Sequence, residues 1–94
     1  MPHVIVQATP NITINRPERL LKKLNSCLWE TGHFDKPQAI KARLLDVETF
    51  LVGIDDDQQQ EGFIYLQLRL MPGRSQQIRD DLAEKLLACL QQEL

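Results

Sequence analysis

Met1-Pro2-His3-Val4-Ile5-Val6, at the head of a 94-residue chain, is the stretch on which the reading of the fold turns. His3 to Gln7 is rich in Val and Ile, with apolar side chains on both faces. That is the composition of a central strand rather than an edge strand. Proline suits the position just before a strand, where no amide need be donated to the ladder. Pro2 also has a chemical reading. Removal of Met1 would expose a secondary amine at the start of a buried strand, and a nearby cation with apolar walls would lower its pKa toward that of a usable proton carrier. On this stretch alone the structural reading is preferred, since a motif without its context is only a hypothesis.

Working outward, Ala8 to Asn15 contains Pro10 and two Asn and reads as a loop. A helix follows, with Asn15 as cap, Pro17 in the first turn and Glu18 three residues after the cap as in a capping box. Leu20, Leu21, Leu24, Cys27 and Leu28 form its apolar stripe, Glu18 and Lys22 are spaced to pair, and Gly32 is placed to stop it. His33 to Gln38 is a connector. Ile40 to Val52 has strand composition with a phase shift, which predicts a bulge near Leu44-Leu45. Gly53 to Gly62 holds Asp55, Asp56 and Asp57 without the ligand spacing of a calcium loop, and reads as a solvated turn.

Phe63 to Met71 is the cleanest strand. Ile64, Leu66, Leu68 and Leu70 share one face, while Phe63, Tyr65, Gln67 and Arg69 share the other. Pro72-Gly73 ends it, and Ser75 is the expected cap of a last helix with Ile78, Leu82, Leu86, Cys89 and Leu90 as its stripe. Asp81 and Lys85 are spaced to pair on that helix. The order is β-α-β-β-α. The first helix is a crossover of the right length to join two parallel strands. The fold class predicted is an α/β (α+β) two-layer sandwich, a mixed sheet with two helices on one face, in a single domain over residues 1–94. Apolar residues on the other sheet face have no helix left to cover them, which points to further copies of the same chain.

Composition sets the limits. The chain is 43% hydrophobic and 26% charged with net charge −2, the profile of an ordinary globular domain with no overall electrostatic footprint for nucleic acid. Phe63 and Tyr65 near Arg69 are the only strand aromatics with basic company, a weak basis for an RNA-binding platform. No apolar run approaches a membrane span, and the start lacks the layout of a signal peptide, so a cytoplasmic location is the expectation. Cys27 and Cys89 lie far apart in sequence, form no CxxC, and read as small buried hydrophobes.

Among the cations, Arg74 is the most informative. It falls at the start of a helix, where the macrodipole disfavours positive charge. It is either a solvated turn residue or a carboxylate clamp acting with free helix N–H groups. Lys41 and Arg43 alternate on the second strand and share a face, as a solvated edge or as further charge at the same pocket. Arg69 reads as an ordinary exposed strand residue. His3 and His33 are isolated, so no metal site is expected. No phosphate-binding glycine loop, nucleophile elbow or redox CxxC is present.

Pro2-His3-x-Ile5-Val6, Asn11-Ile12, Thr31-Gly32-x-Phe34, Ile40-x-x-Arg43 and Gly73-Arg74-Ser75 occur in that order, scattered over nearly the whole chain. Together this set resembles 5-carboxymethyl-2-hydroxymuconate isomerase of the tautomerase superfamily. The resemblance implies two β-α-β units, a homotrimer packed through its sheets, and no cofactor. It implies a small unsaturated 2-hydroxy or 2-keto dicarboxylate substrate from aromatic-compound breakdown, with an amino-terminal proline as general base. Carried over, Pro2 is the catalytic base and Arg74 a substrate-binding arginine. The family's other arginine falls at Lys41, after one extra residue in the preceding loop, with Arg43 nearby. Lysine keeps the charge but loses the bidentate fork. The family also continues past its second helix into another strand, whereas these residues end at Leu94. The alternative is a catalytically silent oligomer that binds a small acid or serves a structural role. A retained Met1, which makes the Pro2 nitrogen an amide, would favour it.

Overall fold

The computed structural model describes residues 1–54 and 61–94. The expected turn at Asp55, Asp56 and Asp57 lies outside the described residues. Strand β1 spans His3–Ala8, helix α1 Pro17–Trp29, strand β2 Lys41–Asp46, strand β3 Ile64–Arg69 and helix α2 Gln76–Gln92, with a single 3-10 turn at Pro37–Ala39. The sheet order is β2-β1-β3. β1 is therefore central, as its two-sided apolar composition demands. It pairs parallel with β2 from His3↔Lys41 to Ala8↔Asp46, and antiparallel with β3 from His3↔Arg69 to Ala8↔Ile64.

This register sorts the side chains. Val4, Val6, Ala42, Leu44, Ile64, Leu66, Leu68 and Leu70 join one hydrophobic cluster with Leu20, Leu24 and Leu28 of α1 and Leu82, Leu86 and Leu90 of α2. The intervening residues fall in rows across the opposite face: Lys41-His3-Arg69, Arg43-Ile5-Gln67 and Leu45-Gln7-Tyr65. Two helices thus cover one face of a three-stranded mixed sheet, the predicted two-layer arrangement.

Three local expectations give way. Residues 40–52 do not form one long bulged strand. β2 keeps a continuous register and ends at Asp46, with Val47 donating once more to the Ala8 carbonyl at 3.0 Å. Beyond Ala8 the first strand turns away through Pro10, so later residues have no ladder to join. Asn15 does not cap α1. Arg16 occupies that position without a side-chain hydrogen bond, and Pro17 is the first helical residue. The shift of one residue moves Glu18 out of the third helical position a capping box requires. The Glu18–Lys22 pair is not among the ion pairs of the described residues, whereas Asp81–Lys85 forms at 3.1 Å. Ser75 does cap α2, its hydroxyl accepting from the Ile78 amide at 3.2 Å.

Two contacts fix the ends of the strands that carry the candidate site. Asn25 Nδ2 of α1 donates to the Ile40 carbonyl at 3.3 Å, tying the helix to the entry of β2. At the far end of β1, buried Thr9 accepts from the Phe63 amide at 3.0 Å and its own amide donates to the Phe63 carbonyl at 3.1 Å. Gly62 lies there against the side chains of Thr9 and Asn11 with no room for a Cβ.

Candidate functional site

At the entry end of β1 the chain brings distant segments to one place. A cavity of about 200 Å3 is lined by Pro2, Phe34, Ala39, Leu70, Met71 and Arg74, together with Met1, His33 and Asp35. Pro2 is fully buried. Its carbonyl accepts from the Lys41 amide at 3.1 Å, which extends the β1–β2 ladder to the residue itself and fixes its position. The volume falls below the roughly 300–1,000 Å3 of sites for drug-sized ligands. It suits a small acid, or one part of a site.

Arg74 reaches this cavity because Gly73, at φ +118°, turns the chain sharply between β3 and α2. That backbone conformation is open to glycine and strained for other residues. The guanidinium carbon lies 4.9 Å from the centroid of the Phe34 ring, and Nη2 donates to the His33 carbonyl at 2.9 Å. The first-turn amide of Ile78 is already taken by Ser75. The guanidinium faces the cavity from this aromatic platform. Such a fork, held on two sides, offers its remaining donors to a carboxylate.

Lys41 stands beside Pro2 at the start of β2. Its ammonium donates to the carbonyl of cavity-lining Ala39 at 3.0 Å, although Lys41 does not itself line the cavity. The Met1 α-amine is held below its ordinary value of 8.0, by desolvation first and then by the charge and hydrogen bond of Lys41. The entry of β1 is thus a place where an amine is pushed toward its neutral form. Arg43 is not brought to the cavity. It sits one row along the open sheet face, with Nη2 2.7 Å from Nδ1 of His3. His3 is accordingly held below its ordinary 6.5, by desolvation first and then by Arg43, the amino terminus, Lys41 and Arg69.

Phe34 and His33 are the lining residues to which reading the sequence assigns no part in the site. His33 contributes a backbone carbonyl, which no side-chain pattern announces. Phe34 is an apolar residue, 9% exposed, in a polar connector, and that mismatch is a usable signal. Among the described residues no group of three His, Cys, Asp or Glu could hold a metal ion. No helix in them is long and apolar enough to cross a membrane. The larger concavity, about 780 Å3, lies between α1 and α2 and contains neither Pro2 nor Arg74.

Comparison with known proteins bears on this geometry. Among curated proteins no match reaches significance. A crystal structure of a 5-carboxymethyl-2-hydroxymuconate isomerase from Deinococcus radiodurans R1 superposes with a TM-score of 0.83 at 26% identity, over 98% of this chain and 68% of that one. A family profile described as 5-carboxymethyl-2-hydroxymuconate isomerase matches residues 2–94. The small α+β fold and a match over nearly every residue agree: the chain belongs to the 5-carboxymethyl-2-hydroxymuconate isomerase family and is an enzyme of the isomerase class.

Proposed function

We propose that this isomerase moves a proton along a small unsaturated 2-hydroxy or 2-keto dicarboxylate of the 5-carboxymethyl-2-hydroxymuconate type, with the Pro2 nitrogen as general base once Met1 is removed. The observation that carries the proposal is the convergence of buried Pro2 and Arg74 on one small cavity, with the Lys41 backbone amide donating to the Pro2 carbonyl. The neutral amine takes a proton from the enol oxygen or adjacent carbon and returns it to a carbon further along the conjugated system. Arg74 and Lys41 hold the carboxylates and stabilise the dienolate that forms between the two transfers. Positioned general acid–base transfer contributes roughly 10²–10⁴-fold, and cations already oriented toward the developing charge add to it without reorganising. The same cations oppose protonation of the amine, so that it stays basic and unprotonated near neutral pH.

The proton and its acceptors account for the reaction without a cofactor, and the setting proposed is cytoplasmic breakdown of aromatic compounds. The assembly proposed is a homotrimer packed through the open sheet faces. Leu45 and Tyr65, 45% and 50% exposed on that face, supply apolar area for such packing. In the trimer Arg43, held by His3 in its own chain, would serve substrate at a neighbouring copy's cavity.

The test is turnover of a 2-hydroxymuconate-type diacid by the protein without Met1 and by its Pro2→Ala variant. Loss of turnover in the variant supports Pro2 as the base, and unchanged turnover removes it from the mechanism. The second reading is a silent, acid-binding oligomer, which would follow if Met1 stayed attached, since the Pro2 nitrogen would then be an amide without basicity. Mass spectrometry of the untagged protein from its native source separates the readings. A chain beginning at Pro2 keeps the enzymatic one.

A further inference from the structure

The fold brings together two thiols that the sequence separates. Cys27 of α1 and Cys89 of α2 are free, partly exposed, and line the same open groove between the helices. Cys27 Sγ lies 3.5 Å from the Lys85 carbonyl. In an α-helix that carbonyl is the acceptor for the amide of residue 89. The Cys27 thiol is therefore seated within one side chain's reach of Cys89. Neither is sealed into the leucine core, and neither has a part in the Pro2 cavity.

We propose that Cys27 and Cys89 form a reversible dithiol–disulfide pair, closed by exchange with a small anionic disulfide of the glutathione type. The groove fits such a reagent. Arg19, Lys22, Lys23 and Lys85 line it against a single carboxylate, Glu30. Arg19 and Lys85 are each paired, with Glu93 at 3.5 Å and with Asp81 at 3.1 Å, which leaves Lys22 and Lys23 as the cations for an incoming anion.

The exchange takes two displacements. The Cys27 thiolate attacks one sulfur of the small disulfide, breaking its S–S bond and expelling one thiolate. Cys89 then loses its proton and attacks Cys27 Sγ, forming the intramolecular bond and expelling the second small thiolate. The protein has lost two electrons and two protons, and the small disulfide has become two thiols. Burial first, then the neighbouring Cys27 and Glu93, holds Cys89 in its protonated form. Cys89 is therefore the second thiol to act rather than the first, since the thiolate is the nucleophile. In a reducing compartment such a bond is transient and reports redox poise.

The experiment is thiol accounting on the full chain. The reduced protein is incubated with oxidised glutathione, alkylated, and analysed by intact mass and peptide mapping. The expected result is a monomer lighter by two hydrogens, with no alkylatable thiol and a Cys27–Cys89 linked peptide, reversed by dithiothreitol. Cys89→Ser should stop at one glutathione adduct on Cys27. Adducts on both thiols without ring closure, thiols that stay alkylatable, or cross-linked dimers alone would each overturn the proposal. The wild-type arm decides it even if the variant folds poorly.

Discussion

The groove between the helices and the cavity at Pro2 are unlike in the way they are built. The groove between α1 and α2 is the larger, and it is lined by two helices already packed side by side in the core. The Pro2 cavity is about a quarter of that volume, yet its walls come from the entry of β1, the connector after α1, the 3-10 turn before β2, and the end of β3 with the turn beyond it. A groove between adjacent helices is what any two-helix layer leaves. A cavity assembled from segments remote in sequence exists only when the whole fold is in place. Size alone would direct attention to the wrong one. Convergence, with a buried proline and an aromatic-backed arginine, directs it to the other.

Substitutions that treat the two concavities differently sharpen this contrast. The largest effect is expected at Pro2. In protein lacking Met1, Pro2→Ala should lower kcat on a 2-hydroxymuconate-type diacid by roughly 10²–10⁴-fold, with the circular dichroism spectrum unchanged. Arg74→Ala should follow. A charge-assisted hydrogen bond is worth about 1.5–3 kcal/mol, so kcat/KM should fall by roughly ten- to a hundred-fold, and a Lys at this position should recover only part because it lacks the fork. Ser75→Ala acts one step removed. Loss of the α2 cap should cost about 1 kcal/mol, read as a lower midpoint in urea unfolding with a smaller effect on turnover. In the other concavity, Cys27→Ser should leave turnover unchanged in reducing buffer. A loss there would mean that the helix groove takes part in catalysis and would break the contrast.

The open sheet face makes a separate prediction through His3. Its folded pKa lies below 6.5, so the unfolded chain takes up the proton first as pH falls. Stability from neutral His3 is therefore present above about pH 6.5 and is lost as pH drops toward the folded value. NMR titration of the His3 ring should give a midpoint below the ordinary histidine value of 6.5. A His3→Gln variant should flatten the dependence of stability on pH between 6.5 and the folded midpoint.

The architecture was legible because its signals are periodic. Alternation at Ile64, Leu66, Leu68 and Leu70 and the 3.6-residue stripes of both helices survive in the structure as one cluster. What failed was local and depended on neighbours. The long second strand stopped at Asp46 because its partner ends at Ala8, a fact held in β1 and invisible in residues 40–52. Asn15 lost the cap by one residue once Pro17 took the first helical position. At the candidate site, the nomination of Pro2, Arg74, Lys41 and Arg43 rested on residue type and resemblance. The Phe34 platform, the His33 carbonyl and the diversion of Arg43 to His3 are contacts across the fold that no spacing encodes. The thiol pair is the sharpest case, since each cysteine reads separately as a buried hydrophobe and only helix packing brings the two into one groove.

The central claim is that burial and flanking cations hold an amine at the head of β1 in its neutral form. It is tested most directly by NMR titration of the Pro2 nitrogen in 15N-proline-labelled protein without Met1, beside an unstructured peptide with the same first residues. The account predicts a lower midpoint in the protein than in the peptide, moving back up in Lys41→Ala and Arg74→Ala. Equal midpoints in protein and peptide would contradict it.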